Sequence, residues 1–408
     1  MRYRVDKKSG NSLSILGFGC MRFPRSLGSI DMKRTEGLVN RAVEGGVNYF
    51  DTAYIYPGSE EALGAIFEKN GLRKKVYIAA KLPLILLKGP GDFDRYFNRE
   101  LERLRTGYID YYLMHMITDT GLWKKLKDWG IERWIEEKKR EGKIRQIGFS
   151  YHGSRDEFLR LIDDYPWEFC QIQYNYSDEH FQAGVTGLRK AAEKMPVMIM
   201  EPLLGGRLAR ALPAGAEEIF RKVRPDLSPA AWALNWLWNQ GEVTLTLSGM
   251  GEMGQLEENL GLAGEARIGM LGDRELEAYR RVLEVLNRSS PIPCTACDYC
   301  MPCPRGVNIP GCFASYNASF SIGYVAGMHQ FVTSTGVSAD KRAGPGLCVG
   351  CGKCESHCPQ GLPVRKNLAL VRKRMEPLWF RCFAALFRAS LGVRASPMKP
   401  KKTAGEEE

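Results

Sequence analysis

Between Leu13 and Gly249 the sequence sets out eight short apolar, β-leaning runs, most of them followed by a stretch of helical periodicity. They are LSILGFGC (13–20), VNYFDT (47–52), VYIAAK (76–81), YIDYYLMH (108–115), IRQIGFS (144–150), FCQIQY (169–174), VMIMEPL (197–203) and VTLTLSG (243–249). Between them lie segments such as KRTEGLVNRAVEGG, FNRELERLR and IERWIEEKKREGK. Strands that alternate with helices pair in parallel through right-handed crossovers. Eight such units over about 250 residues match an α/β architecture closed into a (β/α)8 barrel. An open doubly wound sheet is the competing architecture, but no G-x-G-x-x-G stands at the first strand-to-helix turn. Ahead of the first run, RYRVDKKSGNSLSIL reads as a hairpin turning at Ser9-Gly10-Asn11, placed to cap the lower mouth of the barrel.

The pattern breaks after residue 290, where SSPIPCTAC introduces two prolines. We expect a barrel over residues 1–290, a small, mainly helical second domain over 291–375, and a basic amphipathic tail over 376–408 whose end, after Ser396, is disordered. The second domain opens on CTACDYCMPCP (294–304) and carries CVGCGKCESHCP (348–359), so eight of the twelve cysteines fall in two tight runs. No apolar run of signal-peptide type opens the chain and none reaches spanning length, which makes a cytoplasmic protein the expectation. In that setting closely spaced thiols point to metal or redox chemistry rather than disulfides. C-x2-C pairs also build four-thiolate zinc sites, the rival use of such cysteines. Cys20, Cys170, Cys312 and Cys382 stand apart from the runs and read as small buried hydrophobes.

A net charge of +11 raises the question of nucleic acid, but its distribution argues against it. Residues 361–408 hold 11 Lys and Arg against 4 Asp and Glu, which leaves the rest of the chain near neutral. The tail segment VRKRMEPLWFRCFAALFRASLGVR (371–394) reads as a terminal helix covering the barrel or the second domain. The alternative is a basic amphipathic helix lying on an anionic membrane or against a partner.

Reactive residues of such a barrel belong at the C-terminal ends of its strands. Asp51 closes the second run, Lys81 the third and His115 the fourth, and Tyr56 follows Asp51 in the next loop. Converging there, an Asp51–Lys81 pair would hold an ammonium beside the Tyr56 phenol, favouring its anionic form and bringing its proton within use as a general acid. His115 would add a second hydrogen bond to the same substrate oxygen. Trp123 and Trp129, in the segment after His115, suggest an apolar wall for the substrate, although lone tryptophans more often just pack.

GVNYFDTAYIYPGSEEALG, AAKLP and YYLMHM resemble the signature, lysine and histidine segments of the aldo/keto reductase family, and the likeness runs over roughly residues 10 to 265. The resemblance implies hydride transfer between nicotinamide C4 and a carbonyl or alcohol carbon. It makes Tyr56 the acid/base, Lys81 and Asp51 its tuning pair and His115 the orienting group. It also places Ser150 and Gln171 against the nicotinamide carboxamide, Met200 where the family often stacks a Tyr, and Gln255, Glu258 and Asn259 along the adenosine-phosphate loop. In that loop Gly249, Met250 and Gly251 replace the cation expected to meet a 2′-phosphate, and Glu252 is adjacent, so either NADH is preferred, the reading we take, or the nucleotide binds weakly.

The two cysteine runs resemble dicluster bacterial-type ferredoxins, in which the fourth cysteine of each run serves the other cluster. The resemblance implies two [4Fe-4S] clusters, one held by Cys294, Cys297, Cys300 and Cys358, the other by Cys348, Cys351, Cys354 and Cys303. The first run departs from the pattern, with two residues rather than three before Cys303. Gly350 and Gly352 would let backbone amides approach the cluster sulfides. The expected function is that of an aldo/keto reductase-type oxidoreductase acting on a small carbonyl or alcohol, with a ferredoxin or other one-electron partner and no nucleic acid. The alternative is an electron-transfer or docking protein with a non-catalytic barrel and structural clusters.

Overall fold

The computed structural model describes residues 1–210, 212–288, 291–294, 296, 300–321, 323–336, 342–358 and 361–390. The eight barrel strands are β1 (Leu16–Gly19), β2 (Tyr49–Asp51), β3 (Tyr77–Leu82), β4 (Ile109–Ile117), β5 (Ile144–Tyr151), β6 (Phe169–Gln173), β7 (Val197–Met200) and β8 (Val243–Ser248). All eight pair in parallel, and β8 returns to β1 to close the sheet into a barrel. Every strand lies within or beside an apolar run of the sequence. The (β/α)8 expectation holds.

Strand alternation sends one set of side chains inward and the other towards the helices. Inside, Tyr49, Leu113, Phe169, Met198 and Leu245 fill the bore, which is therefore a packed core and not a channel. Outside, the strands share a larger buried core with the flanking helices. Tyr3–Val5 and Ser12–Ser14 pair as the antiparallel hairpin at the lower end. Its turn is anchored by buried Asp6, which accepts from Lys8 N at 2.8 Å, Ser9 Oγ at 2.6 Å and Tyr111 Oη at 2.9 Å. The bottom of the barrel is thus plugged, and chemistry is left to the top.

Trp123 and Trp129 do not form a substrate wall. Trp123 is wholly buried in a cluster with Tyr165 and Trp167, the latter ring 4.7 Å away, and Trp129 packs on Phe93. Their segment folds as the helix Thr120–Asp128, whose apolar side is absorbed by the outer core.

The second domain is built on three helices, Ile309–Ser321, Tyr324–Thr335 and Val364–Met375, around Phe313, Phe331, Leu368, Val371 and Met375. A last helix spans Leu378–Ser390. Phe380 and Ala384 are buried, but Leu378, Trp379, Phe383 and Leu386 are exposed. The tail helix therefore covers the second domain, as expected, through the stripe of Phe380 and Ala384, and leaves its other apolar side exposed. Cys382 is exposed too, unlike Cys20, Cys170 and Cys312, because it lies across the helix from that stripe. Among the described residues no helix is long and apolar enough to cross a membrane.

Candidate active site and cluster centre

The register of the barrel brings Asp51, Tyr56, Lys81 and His115 to one corner of its top face. In the sheet Asp51 stands opposite Ala79 and Lys81 opposite Leu113, so Lys81 lies one step above Asp51 on the next strand. Its Nζ donates to Asp51 Oδ1 at 2.6 Å and to the Thr52 carbonyl at 2.7 Å. Both side chains are buried. The ammonium also sits 5.3 Å from the centre of the Tyr56 ring, and the His115 ring meets that ring edge-on at 6.1 Å. A carbonyl oxygen entering from the mouth would find the phenol and the imidazole side by side.

Burial opposes the Lys81 charge, but Asp51 and the Tyr56 phenol outweigh it, and Lys81 titrates above the ordinary lysine value. At Tyr56 the balance falls the other way from the sequence expectation. Burial raises the phenol above its usual value, and the nearby ammonium offsets this only in part. Tyr56 is thus held as the protonated acid, the state a proton donor to a carbonyl requires. Burial, then Lys81 and then His152, hold His115 well below the ordinary imidazole value, so it is a neutral donor at physiological pH.

The sequence carried no sign of the distortion that aims His115. Just beyond it β4 breaks register against β5, with Met116 at φ 62°. The Met116 amide donates to Ser150 Oγ at 2.8 Å. A bulge of this kind re-aims the neighbouring side chain. Ser150 is paired in register with Gln171, and the two lie together at the top of β5 and β6. Gln171 Nε2 approaches Met200 Sδ at 3.6 Å, while its Oε1 is buried without a partner. That orphaned acceptor, beside the Ser150 hydroxyl, fits the amide of a nicotinamide carboxamide.

The expected adenosine-side residues divide. Gln255 Oε1 accepts from the Gly251 amide at 3.1 Å and shapes its own loop, Asn259 is buried against Ser248 Oγ at 3.2 Å, and Glu258 is exposed. No cation lies within residues 249–252, but two approach from elsewhere. Arg34 pairs with Glu252 at 2.7 Å. Arg22, following β1, lays its stem across Gly249, where a Cβ would stand 3.1 Å from Arg22 Cδ. Its guanidinium reaches Gly205, where a Cβ would stand 3.1 Å from Nη2. The loops after β7 and β8 are where barrels of this kind commonly bind phosphate.

Six of the eight cysteines in the two runs, Cys294, Cys300, Cys303, Cys348, Cys354 and Cys358, are partly buried against the core of the second domain. Cys351 is exposed, and Cys297 lies outside the described residues. Burial raises the Cys354 thiol, and the neighbouring thiols of Cys303 and Cys348 add to the rise. The structure therefore brings Cys303 towards the second run despite its short spacing. Gly350 and Gly352 both have positive φ, 73° and 77°, and turn the chain tightly around Cys351. Among the described residues no three metal-binding side chains close on a single ion, and a four-iron cube instead spreads its thiolates over separate irons. A set of soft, partly buried thiolates in tight turns fits such a cube.

The second domain also reaches the barrel mouth. His329, on the helix Tyr324–Thr335, is close enough to act electrostatically on His152, just beyond β5, and on Glu201, just beyond β7. Burial raises the Glu201 carboxyl, while His329, Arg22 and Arg207 pull it down.

An eight-stranded parallel barrel with a buried Lys–Asp pair beside a tyrosine and a neutral histidine defines a reductase-type oxidoreductase. The chain belongs to the aldo/keto reductase family: the sequence model of the Aldo/keto reductase family matches residues 15–267. A 4Fe-4S dicluster domain model matches residues 293–369. The chain is similar to the aldo-keto reductase yakc [NADP(+)] of Schizosaccharomyces pombe, 25% identical over 62% of this chain and 85% of the relative. It is 27% identical to the oxidoreductase YqkF of Bacillus subtilis, over 69% of this chain and 96% of that one. Among solved structures, aldo-keto reductase AKR11C1 from Bacillus halodurans in its holo form superposes with a TM-score of 0.56, at 24% identity over 69% of this chain and 96% of the other. An aldo-keto reductase from Klebsiella pneumoniae in complex with NADPH gives 0.57 at 21% identity over 69% of this chain and 96% of that one.

Proposed function

We propose that the barrel catalyses NAD(P)H-linked reduction of a small carbonyl, or the reverse oxidation of an alcohol, and that two [4Fe-4S] clusters in the second domain exchange single electrons with it. The observation that carries this reading is the buried Lys81–Asp51 pair at 2.6 Å under a protonated Tyr56. Bound over Ser150, Gln171 and Met200, a nicotinamide supplies or accepts a hydride. Tyr56 gives its proton to the carbonyl oxygen while His115 donates a hydrogen bond to the same atom. Lys81 stabilises the phenolate that remains, and Asp51 keeps Lys81 charged and in place. In the oxidative direction the same groups take the proton back.

A hydride carries two electrons, and two clusters together can hold that pair, one each. We assign Cys294, Cys297, Cys300 and Cys358 to one cluster and Cys303, Cys348, Cys351 and Cys354 to the other. The proximity of Cys303, Cys348 and Cys354 supports the second set. The approach of His329 to Glu201 and His152 supports a cluster domain that works at the mouth of the barrel. NADH is the preferred nucleotide in this reading, because residues 249–252 supply no cation for a 2′-phosphate and Arg34 is already paired with Glu252.

The alternative of a docking protein with an inert barrel would have to keep a buried ion pair without use. Such pairs are weak contributors to stability compared with an apolar replacement. The discriminating experiment is Tyr56→Phe in the cluster-loaded protein, assayed against a panel of small aldehydes with NADH. Turnover should fall by a factor of about 100 to 10,000 with the iron–sulfur absorbance unchanged. Undiminished turnover would remove Tyr56 from the chemistry and with it the proposal.

A further inference from the structure

The helix Leu378–Ser390 is apolar on two opposite sides. Phe380 and Ala384, one turn apart, are each only 5% exposed. Around the other side Leu378 is 73%, Trp379 59%, Phe383 56% and Leu386 73% exposed. At 100° per residue these four span one continuous arc of about 140° on the side away from the buried stripe, and Cys382 falls within it. Four large apolar side chains more than half exposed on one face are not the scatter expected of an ordinary surface. Arg381 lies at the border of the arc, and Arg388 follows it seven residues later in the sequence.

We propose that this face inserts into the surface of an anionic lipid bilayer and holds the protein there as a peripheral membrane protein. Charge selects this occupant. Residues 361–408 carry 11 basic against 4 acidic groups, and three of the four acids lie at positions 406–408, away from the helix. A helix with Trp, Phe and Leu on its outer face and Arg381 at its border, in a basic segment, has the composition of an interfacial helix. Tryptophan is favoured where apolar and wet regions meet. A second copy of the chain is a poorer occupant, since a two-fold contact would set the same arginines of two +11 chains against each other. The helix is too short to cross a bilayer, so insertion is confined to the interface.

The test is flotation of the full-length, cluster-loaded protein with vesicles of phosphatidylglycerol and phosphatidylcholine, compared with vesicles of phosphatidylcholine alone. The protein should float with the anionic vesicles, and its partitioning should fall at least tenfold on the neutral ones or in high salt. Phe383→Asp and Leu386→Asp should each lower partitioning tenfold or more and leave aldehyde reduction and iron–sulfur absorbance unchanged. Arg381→Glu should weaken binding without touching the apolar face. Absence of flotation with either vesicle would overturn the proposal, as would binding indifferent to all three substitutions. Concentration-dependent dimerisation abolished by Phe383→Asp, without flotation, would overturn it in favour of a contact between copies.

Discussion

Lys81 and Asp51 form an ion pair of 2.6 Å whose side chains are 1% and 6% exposed, at the ends of adjacent barrel strands. Removing one member leaves the other charged, buried and unpaired, which costs about 3–5 kcal/mol. Lys81→Met is therefore expected to lower both stability and turnover. The double variant Asp51→Asn/Lys81→Met should regain most of the lost stability in urea unfolding, yet remain inactive. Recovery of activity together with stability would show that the pair serves the fold alone.

The position of Arg22 across Gly249 and Gly205 leads to a prediction about nucleotide binding. A guanidinium bonded to a phosphate is worth about 1.5–3 kcal/mol. Arg22→Ala should raise the dissociation constant for NADH about tenfold or more, read by quenching of protein fluorescence. Arg22 is exposed, so the urea midpoint should not move. An unchanged dissociation constant would remove Arg22 from the site.

Two buried carboxyls on the barrel's flank make stability depend on pH. Glu60 and Glu100 lie on the helices Ser59–Lys69 and Asp92–Leu104, where Arg103 donates to Glu60 at 3.2 Å and Tyr112 to Glu100 at 2.6 Å. Burial, and then the charge of Glu60, hold Glu100 well above the ordinary carboxylate range. Burial pushes Glu60 up to about 7 against the pull of Arg103. An acid whose folded value exceeds its unfolded one stabilises fully below the unfolded value and loses that contribution as pH rises through the folded one. The window runs from the ordinary 4.5 to about 7. At about 1.4 kcal/mol per pH unit, the loss is about 3 kcal/mol by pH 8. Glu60→Gln should match the wild type in urea at pH 5 and exceed it at pH 8. Equal midpoints at both values would contradict this.

The grouping of Cys303, Cys348 and Cys354 offers a way to separate the two proposed clusters experimentally. Cys354→Ala should leave the other cluster assembled, lowering iron from about eight to about four per chain and roughly halving the visible absorbance. Zinc in place of iron in the anaerobically purified protein would contradict the assignment.

Much of this was legible in the sequence because period and spacing are local properties. Eight apolar runs announced eight strands, and Asp51, Lys81 and His115 stood at strand ends that closure had to bring together. The reach of Arg22 over the loops after β7 and β8 was not legible, since it depends on which strands become neighbours when β8 closes on β1. Nor was the protonated state of Tyr56, where the depth of burial decides against the ammonium. The tail was legible only in part, for a related reason. Its sequence is apolar on two sides, and only the packed structure shows which side is buried and that Trp379 and Phe383 are more than half exposed.

The central claim is that one chain joins a hydride site to a pair of one-electron centres. It is tested most directly by adding NADH anaerobically to the cluster-loaded protein and following the iron–sulfur absorbance and its paramagnetic signal. Bleaching of the absorbance with the appearance of the reduced-cluster signal is the predicted result. Nucleotide that binds, as seen by fluorescence, while the clusters stay oxidised would contradict it.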